Sequence, residues 1–64
     1  MKTINLILWT GESPVYKDGL NANEAMDVCT KHFAVERTAY VTVNGKHCFA
    51  LHQAERQINE VVDN

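Results

Sequence analysis

The chain has 64 residues, of which 45% are hydrophobic and 22% are charged, with a formal net charge of −2. This composition argues against disorder, and the length leaves room for a single domain over residues 1–64, with a stability that is marginal for lack of buried surface. The cations are scattered along the sequence. A nucleic-acid partner is therefore not expected, because phosphate binding draws on clustered positive charge.

The N-terminal segment, residues 3–10, is rich in β-branched, aliphatic and aromatic residues and predicts a strand. A turn with glycine and proline is predicted next, and residues 15–17 are candidates for a short second strand that folds back on the first. The initial apolar run is short and is interrupted by Asn5, which argues against a signal peptide. No stretch approaches the roughly 18 apolar residues that span a bilayer. We therefore expect a cytoplasmic protein with no membrane partner.

A helix is predicted over residues 22–33, with Asn21 as its N-cap. The Asn21 side chain is suited to accept from unpaired backbone N–H groups, and Glu24 follows at the spacing of a capping box. Apolar residues then recur on one face at helical spacing. A second helix is predicted over residues 54–62, where an apolar stripe consists of Ala54, Ile58, Val61 and Val62.

Two strand-like runs, residues 37–43 and 46–51, flank Asn44 and Gly45. This dipeptide between alternating segments is the strongest short hairpin signal, because both residues tolerate the positive φ of a type I′ turn. The predicted fold class is therefore α+β. It is a small β(β)αββα domain, with a three- to four-stranded sheet, a central hairpin turning at Asn44 and Gly45, and one or two packed helices.

The two-residue turn also predicts which residues share a face of the sheet. Val41 is expected opposite Cys48 on a small apolar face. On the bulky face, Thr42 is expected opposite His47, Tyr40 opposite Phe49, and Thr38 opposite Leu51. Together with the first strand, the bulky face forms a patch of roughly a few hundred Å², the size at which exposed patches tend to be functional. The predicted interaction residues on this patch are Ile7, Trp9, Tyr40, Phe49 and Leu51.

Three arrangements of the bulky face are consistent with the sequence. The helix at residues 54–62 folds across it and makes it core, or both helices cover it and leave the small face outward, or it stays exposed as an interface. Small domains usually bury their apolar faces beneath their own elements, which favours the first arrangement. A binding function for this face requires the third.

Cysteine and histidine residues occur at spacings that resemble zinc motifs, with Cys29 near His32 and His47 near His52. On a strand, His47 and His52 point to opposite faces, and Cys48 lies about 13 Å from His52 at ~3.3 Å per residue. We therefore predict no metal and no cofactor, with a Cys/His metal-binding or redox protein as an alternative. Cys29 and Cys48 are expected to face the helix–sheet interface as reduced thiols, although their positions also allow a disulfide.

No catalytic residue is predicted, and the chain is not expected to be an enzyme. A nucleophilic cysteine needs a thiolate beside a positioned base, and His47 projects from the opposite face to Cys48. Ser13 lies in a turn without an elbow motif, and the carboxylates are dispersed along the chain.

A set of residues follows one another along the chain in an order known from other small proteins. The set consists of Pro14, Val15, Tyr16, Leu20, Glu24, Ala25, Phe33 and the strand at residues 40–43. This layout resembles small bacteriophage host-takeover proteins, such as phage inhibitors of bacterial RNA polymerase, and covers about half of the chain. Such phage proteins, like many anti-CRISPR proteins, are non-enzymatic and act by occupying a surface of a large host enzyme. The resemblance implies a helix packed on a small sheet, no enzymatic activity, and a larger host protein or complex as the partner.

The leading hypothesis is a non-enzymatic protein-binding module, phage-encoded and acting as an inhibitor or modulator of a larger host enzyme or complex. Trp9, Tyr40 and Phe49 are predicted to make the main contacts, because aromatic residues dominate interface hot spots. A homodimer through the same face is a further option. The alternative is a small nucleic-acid-binding domain, in which Arg37 and Lys46 of the hairpin contact phosphate while the aromatic rings stack on bases.

Overall fold

The computed structural model describes residues 2–9, 11, 13–35 and 40–63. The elements in chain order are β1 (Ile4–Trp9), β2 (Val15–Leu20), α1 (Ala22–Val35), β3 (Tyr40–Val43), β4 (Lys46–Cys48) and α2 (Leu51–Asp63). They form an antiparallel sheet of order β2-β1-β3-β4 with two helices, which confirms the predicted α+β fold. Neither helix within these ranges combines the length and apolar character needed to traverse a bilayer.

β1 is a central strand whose side chains alternate between a covered and an uncovered side of the sheet. Ile4, Leu6 and Leu8 are buried, and the residues between them point the other way, as expected for a strand covered on one face. β2 is longer than predicted, because its pairing with β1 continues past a bulge. Gly19 lies in this irregular stretch with a φ of 72°, and its N–H donates to Asn5 Oδ1 at 3.0 Å.

α1 begins where the sequence predicts. Asn21 Oδ1 accepts from the Glu24 N–H at 2.8 Å, and Glu24 Oε1 accepts from the Asn21 N–H at 3.0 Å. This reciprocal pair is a capping box, which satisfies two backbone donors that have no partner inside the helix. The helix continues to Val35, and its buried residues are Ala25 and Cys29.

The β3–β4 hairpin also follows the sequence prediction. Asn44 and Gly45 have φ angles of 47° and 88°, as a type I′ turn requires, and Val41 pairs with Cys48. Asn44 ties the turn to β1 as well. Its Oδ1 accepts from the Asn5 N–H at 2.7 Å, and its own N–H donates to the Asn5 carbonyl at 2.9 Å.

The chain after the hairpin differs from the prediction. β4 ends at Cys48, and α2 begins at Leu51 instead of at residue 54. The helix starts early because the Ala50 carbonyl accepts from the N–H groups of Gln53 and Ala54, both at 3.1 Å. Leu51 therefore belongs to a helix and not to a strand, so its predicted place on the bulky face is wrong.

Parts of the predicted strands lie outside the described residues. These parts are Thr10 at the end of the first strand and residues 37–39 at the start of the third. The predicted pairing of Thr38 with Leu51 falls in the same group, as does Arg37 as a phosphate contact. The confirmed part of the hairpin is the pairing of β3 with β4.

Both helices cover the same side of the sheet. α1 packs on β1 and β2, α2 packs on β3 and β4, and the helices contact each other. The core between the layers consists of Ile4, Leu6, Leu8, Ala25, Cys29, Val41, Val43, Cys48, Ala54 and Ile58. The small apolar face is thus the covered one, and the two arrangements that place a helix on the bulky face do not describe this fold.

Candidate functional site

The side of the sheet away from the helices is a continuous surface built from all four strands. Strand register places Ile7 between Tyr16 of β2 and Thr42 of β3, and Thr42 beside His47 of β4. Trp9 pairs with Tyr40 at the other end of the β1–β3 ladder. We call this surface the open face and define it by Ile7, Trp9, Tyr16, Tyr40, Thr42, His47 and Phe49.

Four rings of the open face touch one another and form an aromatic cluster, defined as Trp9, Tyr40, His47 and Phe49. The Trp9 and Tyr40 rings are stacked, with centroids 5.6 Å apart and planes 8° from parallel. The ring centroid of Tyr40 lies 5.7 Å from that of His47 and 5.3 Å from that of Phe49. The centroids of His47 and Phe49 are 6.3 Å apart. These separations fall within the range at which aromatic rings attract one another.

Trp9 is held in place by polar contacts at both ends of the residue. Its indole Nε1–H donates to Thr42 Oγ1 at 2.9 Å, on the open face itself. Its carbonyl lies 3.1 Å from His32 Nε2, which reaches up from α1. The indole donor is therefore satisfied within the chain, and the ring offers apolar surface that needs no further hydrogen bond.

Exposure differs across the open face. The Phe49 side chain is 66% exposed and Tyr16 is 64% exposed, whereas Trp9 and Tyr40 are half-buried. The half-buried rings are packed among their neighbours, so little side-chain freedom is left for a partner to remove. Surfaces fixed in this way bind at a lower entropic cost than mobile ones.

The structure brings together four of the five predicted interaction residues: Ile7, Trp9, Tyr40 and Phe49. Leu51 lies apart from them, because it opens α2 and packs against the core on the other side of the sheet. The sequence interpretation missed His47, which it placed opposite Thr42 but did not count among apolar residues. It also missed Tyr16, because five residues separate β1 from β2, and a connection of that length does not fix the register of the pair as a two-residue turn does.

The seven side chains that define the open face include no lysine, arginine, aspartate or glutamate. Lys17 pairs with Leu6, and Lys46 pairs with Val43. Because Leu6 and Val43 face the core, these two cations leave the sheet on the helix-covered side. A ligand that lies flat over these seven side chains thus contacts apolar and neutral groups.

The two cysteines lie in the core as free thiols. Burial raises the pKa of Cys29 to about 11, with a further contribution from Cys48. Burial also raises the pKa of Cys48, partly offset by the Lys46 charge, and its Sγ lies 3.6 Å from the Lys46 carbonyl. A raised pKa disfavours the thiolate, which is the form that attacks substrates and binds metals.

The Cys/His set named from the sequence is spread over different parts of the fold. The cysteines are buried, His32 contacts the Trp9 carbonyl, and His47 belongs to the aromatic cluster. Within residues 2–9, 11, 13–35 and 40–63, no three His, Cys, Asp or Glu side chains are grouped closely enough to hold a metal ion.

A groove runs between the free edge of β4 and α2, at the border of the open face. Its volume is about 430 Å³, and we call it the β4/α2 groove. It is lined by Lys46, His47, Cys48, Gln53, Arg56, Gln57 and Glu60. The four helical residues recur at the spacing of one helix face, and His47 belongs both to this groove and to the aromatic cluster.

The open face and the β4/α2 groove are thus the two surface features on which a functional reading rests. The first is apolar and flat, and the second is polar and concave. Comparison of the chain with protein-family models, with curated proteins and with solved structures finds no match.

Proposed function

We propose that this chain is a small non-enzymatic module that binds a larger protein through its open face. The observation that carries the proposal is the position of the aromatic cluster on the side of the sheet that neither helix covers. Small domains normally bury such rings beneath their own elements. Exposed apolar patches of this kind are typical of interaction sites.

The composition of the open face supports a protein partner over a nucleic acid. Trp and Tyr are the residues most enriched in protein–protein hot spots. Nucleobases also stack on aromatic rings, but single-strand binding combines such stacking with cations that follow the phosphates. The cations of the four described strands, Lys17 and Lys46, leave the sheet on the opposite side.

The edges of the sheet are less suited to binding than its open face. β2 is an edge strand, but the bulge beside Gly19, the charged Lys17 and Asp18, and the preceding Pro14 all hinder pairing with a further strand. β4, the other edge, is only three residues long, and of these only His47 directs its peptide groups toward the free edge, which is too little for a further strand to pair along it. Natural sheets protect their edges by these means, which leaves the face as the favoured contact surface.

For the partner, we propose a larger bacterial enzyme or complex whose surface the chain occupies. The similarity in layout to small phage proteins that inhibit host enzymes supports this part of the proposal. A module of this size has little room to enclose a substrate, and occupation of a surface requires only a complementary patch. The effect on the partner would then be inhibition or modulation by steric cover.

The proposal is tested with Phe49→Ser and a matched control, Val35→Ser. Both replace a highly exposed apolar side chain, since Phe49 is 66% and Val35 78% exposed, but Val35 lies at the end of α1 and not on the open face. Tagged chains are used to capture proteins from bacterial extract, with quantification by mass spectrometry. We expect Phe49→Ser to weaken capture of a specific protein about thirtyfold, corresponding to about 2 kcal/mol.

Val35→Ser is expected to capture the same protein as the unaltered chain, and both variants are expected to keep the native circular dichroism spectrum. Equal capture by Phe49→Ser and the unaltered chain would contradict the proposal. Sedimentation analysis adds a second criterion. A stable dimer that Phe49→Ser disrupts would make a second copy of the chain the occupant of the open face, in place of a larger protein.

A further inference from the structure

The β4/α2 groove contains two cations, Lys46 and Arg56, without a carboxylate partner in the described part of the chain. Among the described residues, the side-chain ion pair is the one between Lys31 and Asp27, at 3.1 Å, and it lies on the outer surface of α1, away from the groove. Lys46 and Arg56 approach the groove from different elements, one from the strand and one from the helix. Such an arrangement favours an anionic group between them.

The amide side chains of the groove add hydrogen-bond donors to these charges. Gln53 Oε1 already accepts from the Phe49 N–H at 2.8 Å, which leaves the Gln53 NH₂ group as its free function. Gln57 lies one turn further along α2 and lines the same groove. Glu60, one turn beyond Arg56, is the acidic residue of the set. Donors and positive charge therefore outweigh acceptors.

The backbone of β4 contributes as well. In a two-residue hairpin the residues beside the turn form a hydrogen-bonded pair, so Val43 and Lys46 bond to each other and the next pair, Thr42 and His47, does not. The N–H and C=O of His47 therefore point away from β3 toward the free edge of the sheet. Peptide groups at such an edge match the backbone of an extended segment.

We propose that the β4/α2 groove binds an acidic peptide segment of the partner protein, with a carboxylate held by Lys46 and Arg56. This inference rests on the proposed function, because His47 joins the groove to the aromatic cluster. A partner that lies on the open face extends into the groove at this point. Its recognised surface thus combines an apolar patch with an adjacent acidic stretch.

A peptide carboxylate fits the groove better than a nucleic-acid phosphate does. The chain carries a formal net charge of −2, and Glu60 lies in the groove itself. A nucleic acid carries a negative charge at every nucleotide. Each added nucleotide is therefore repelled by the acidic chain without contacting a further cation of the groove. A short peptide with one or two carboxylates limits this repulsion to the groove.

The inference is tested by NMR titration of the full ¹⁵N-labelled chain with the capped peptide acetyl-Gly-Glu-Gly-Glu-Gly-amide. We expect saturable amide shifts confined to residues 46–48 and 53–60, with weak affinity because the peptide lacks apolar anchors. The matched glutamine peptide is expected to produce no saturable shift at these positions. Added salt is expected to weaken the glutamate peptide, because exposed charges are screened.

Two variants with the same charge change locate the site. Arg56→Gln is expected to weaken binding of the glutamate peptide at least fivefold, whereas Lys17→Gln, at the opposite edge of the sheet, is expected to change it less than twofold. Three results would overturn the inference. These are equal binding of both peptides, no effect of Arg56→Gln, or tighter binding of inorganic phosphate or a single-stranded oligonucleotide at the same amides.

The test is separate from that of the proposed function. Phe49→Ser leaves Lys46 and Arg56 in place and is expected to bind the glutamate peptide with unchanged affinity. If the peptide fails to bind while Phe49→Ser still loses its protein partner, the groove inference alone is wrong. If the peptide binds but Phe49→Ser captures the partner normally, the open face is not the docking surface.

Discussion

Trp9 serves both the fold and the surface through different atoms. Its backbone belongs to β1 and receives a contact from His32 of α1, while its ring stacks on Tyr40 on the open face. The Nε1–H bond to Thr42 fixes the ring without using a partner molecule. Removing this ring would disturb both functions, which makes the more exposed Phe49 the better residue for a binding test.

The buried thiol of Cys29 leads us to expect a lower free energy of unfolding at alkaline pH. Burial raises its pKa from the ordinary 9.0 to about 11. Between these values the unfolded chain has released the thiol proton and the folded chain still holds it, so rising pH favours unfolding. This contribution to stability is fully present below about pH 9. We expect it to fall by about 2–3 kcal/mol by about pH 11, at about 1.4 kcal/mol per pKa unit.

The measurement is urea denaturation followed by circular dichroism, at about pH 8 and about pH 10.5. Cys29→Ala is the control, because it keeps the lysines and tyrosines that also titrate in this range. The free energy of unfolding of the variant should fall less than that of the unaltered chain. An identical fall in both proteins would show that the thiol is not the cause.

At the level of single residues, the alternation of side chains along a strand is the sequence pattern that predicts most reliably which side of the sheet a residue faces. The hairpin turn left no freedom in register and so placed Tyr40 and Phe49 on one side of the sheet, and the alternation along β1 placed Trp9 opposite to its buried neighbour Leu8. Leu51 was misplaced because the same alternation was extended past the point where β4 ends. Periodicity describes a strand only while the strand lasts.

Among the elements, the β3–β4 hairpin depends most directly on backbone conformation. Gly45 has a φ of 88°, and a Cβ added there would meet nothing within 4 Å. The cost of Gly45→Ala is therefore conformational, and we expect a loss of about 1–2 kcal/mol in the free energy of unfolding. Thermal unfolding followed by circular dichroism measures this loss.

Gly11→Ala is the matched control for this substitution. A Cβ at Gly11 also meets nothing within 4 Å, but no positive φ is imposed on the backbone there. We expect its stability to change by less than about 0.5 kcal/mol. Similar losses for both variants would mean that the turn conformation is not what makes glycine necessary at position 45.

The start of α1 was predictable and the start of α2 was not, for a chemical reason. Asn21 and Glu24 form the reciprocal hydrogen bonds of a capping box, and their residue types and spacing are enough to recognise this box in the sequence. At α2 the cap position is taken by Ala50, whose side chain has no hydrogen-bonding group, and Gln53 reaches back to Phe49. The apolar stripe therefore indicated the helix but not its first turn.

For the molecule as a whole, the arrangement of layers was beyond the reach of the sequence. The apolar stripe of α2 fits either side of a sheet whose two faces are both apolar, and nothing in its periodicity chooses between them. In the structure both helices lie on the face with the smaller side chains, which allows close contact with the strands. The aromatic cluster stays on the other side as a result.

This one-sided core predicts an unequal response to truncation on the two sides of the sheet. Ile58 is fully buried, and Ile58→Ala is expected to cost about 2–5 kcal/mol, a large part of the stability of so small a domain. Phe49→Ala is expected to cost less than about 1 kcal/mol, because the ring is 66% exposed. Chemical denaturation compares the two, and equal losses would identify the open face as part of the core.

The location of the single tryptophan gives the chain a built-in optical reporter. The indole of Trp9 is partly exposed and stacked on Tyr40, so a ligand that displaces water from the open face should shift its emission wavelength and change its intensity. A ligand confined to the far side of the helices should leave that emission unchanged. Fluorescence of the unlabelled protein can therefore reveal where an unknown molecule has bound before any complex structure exists.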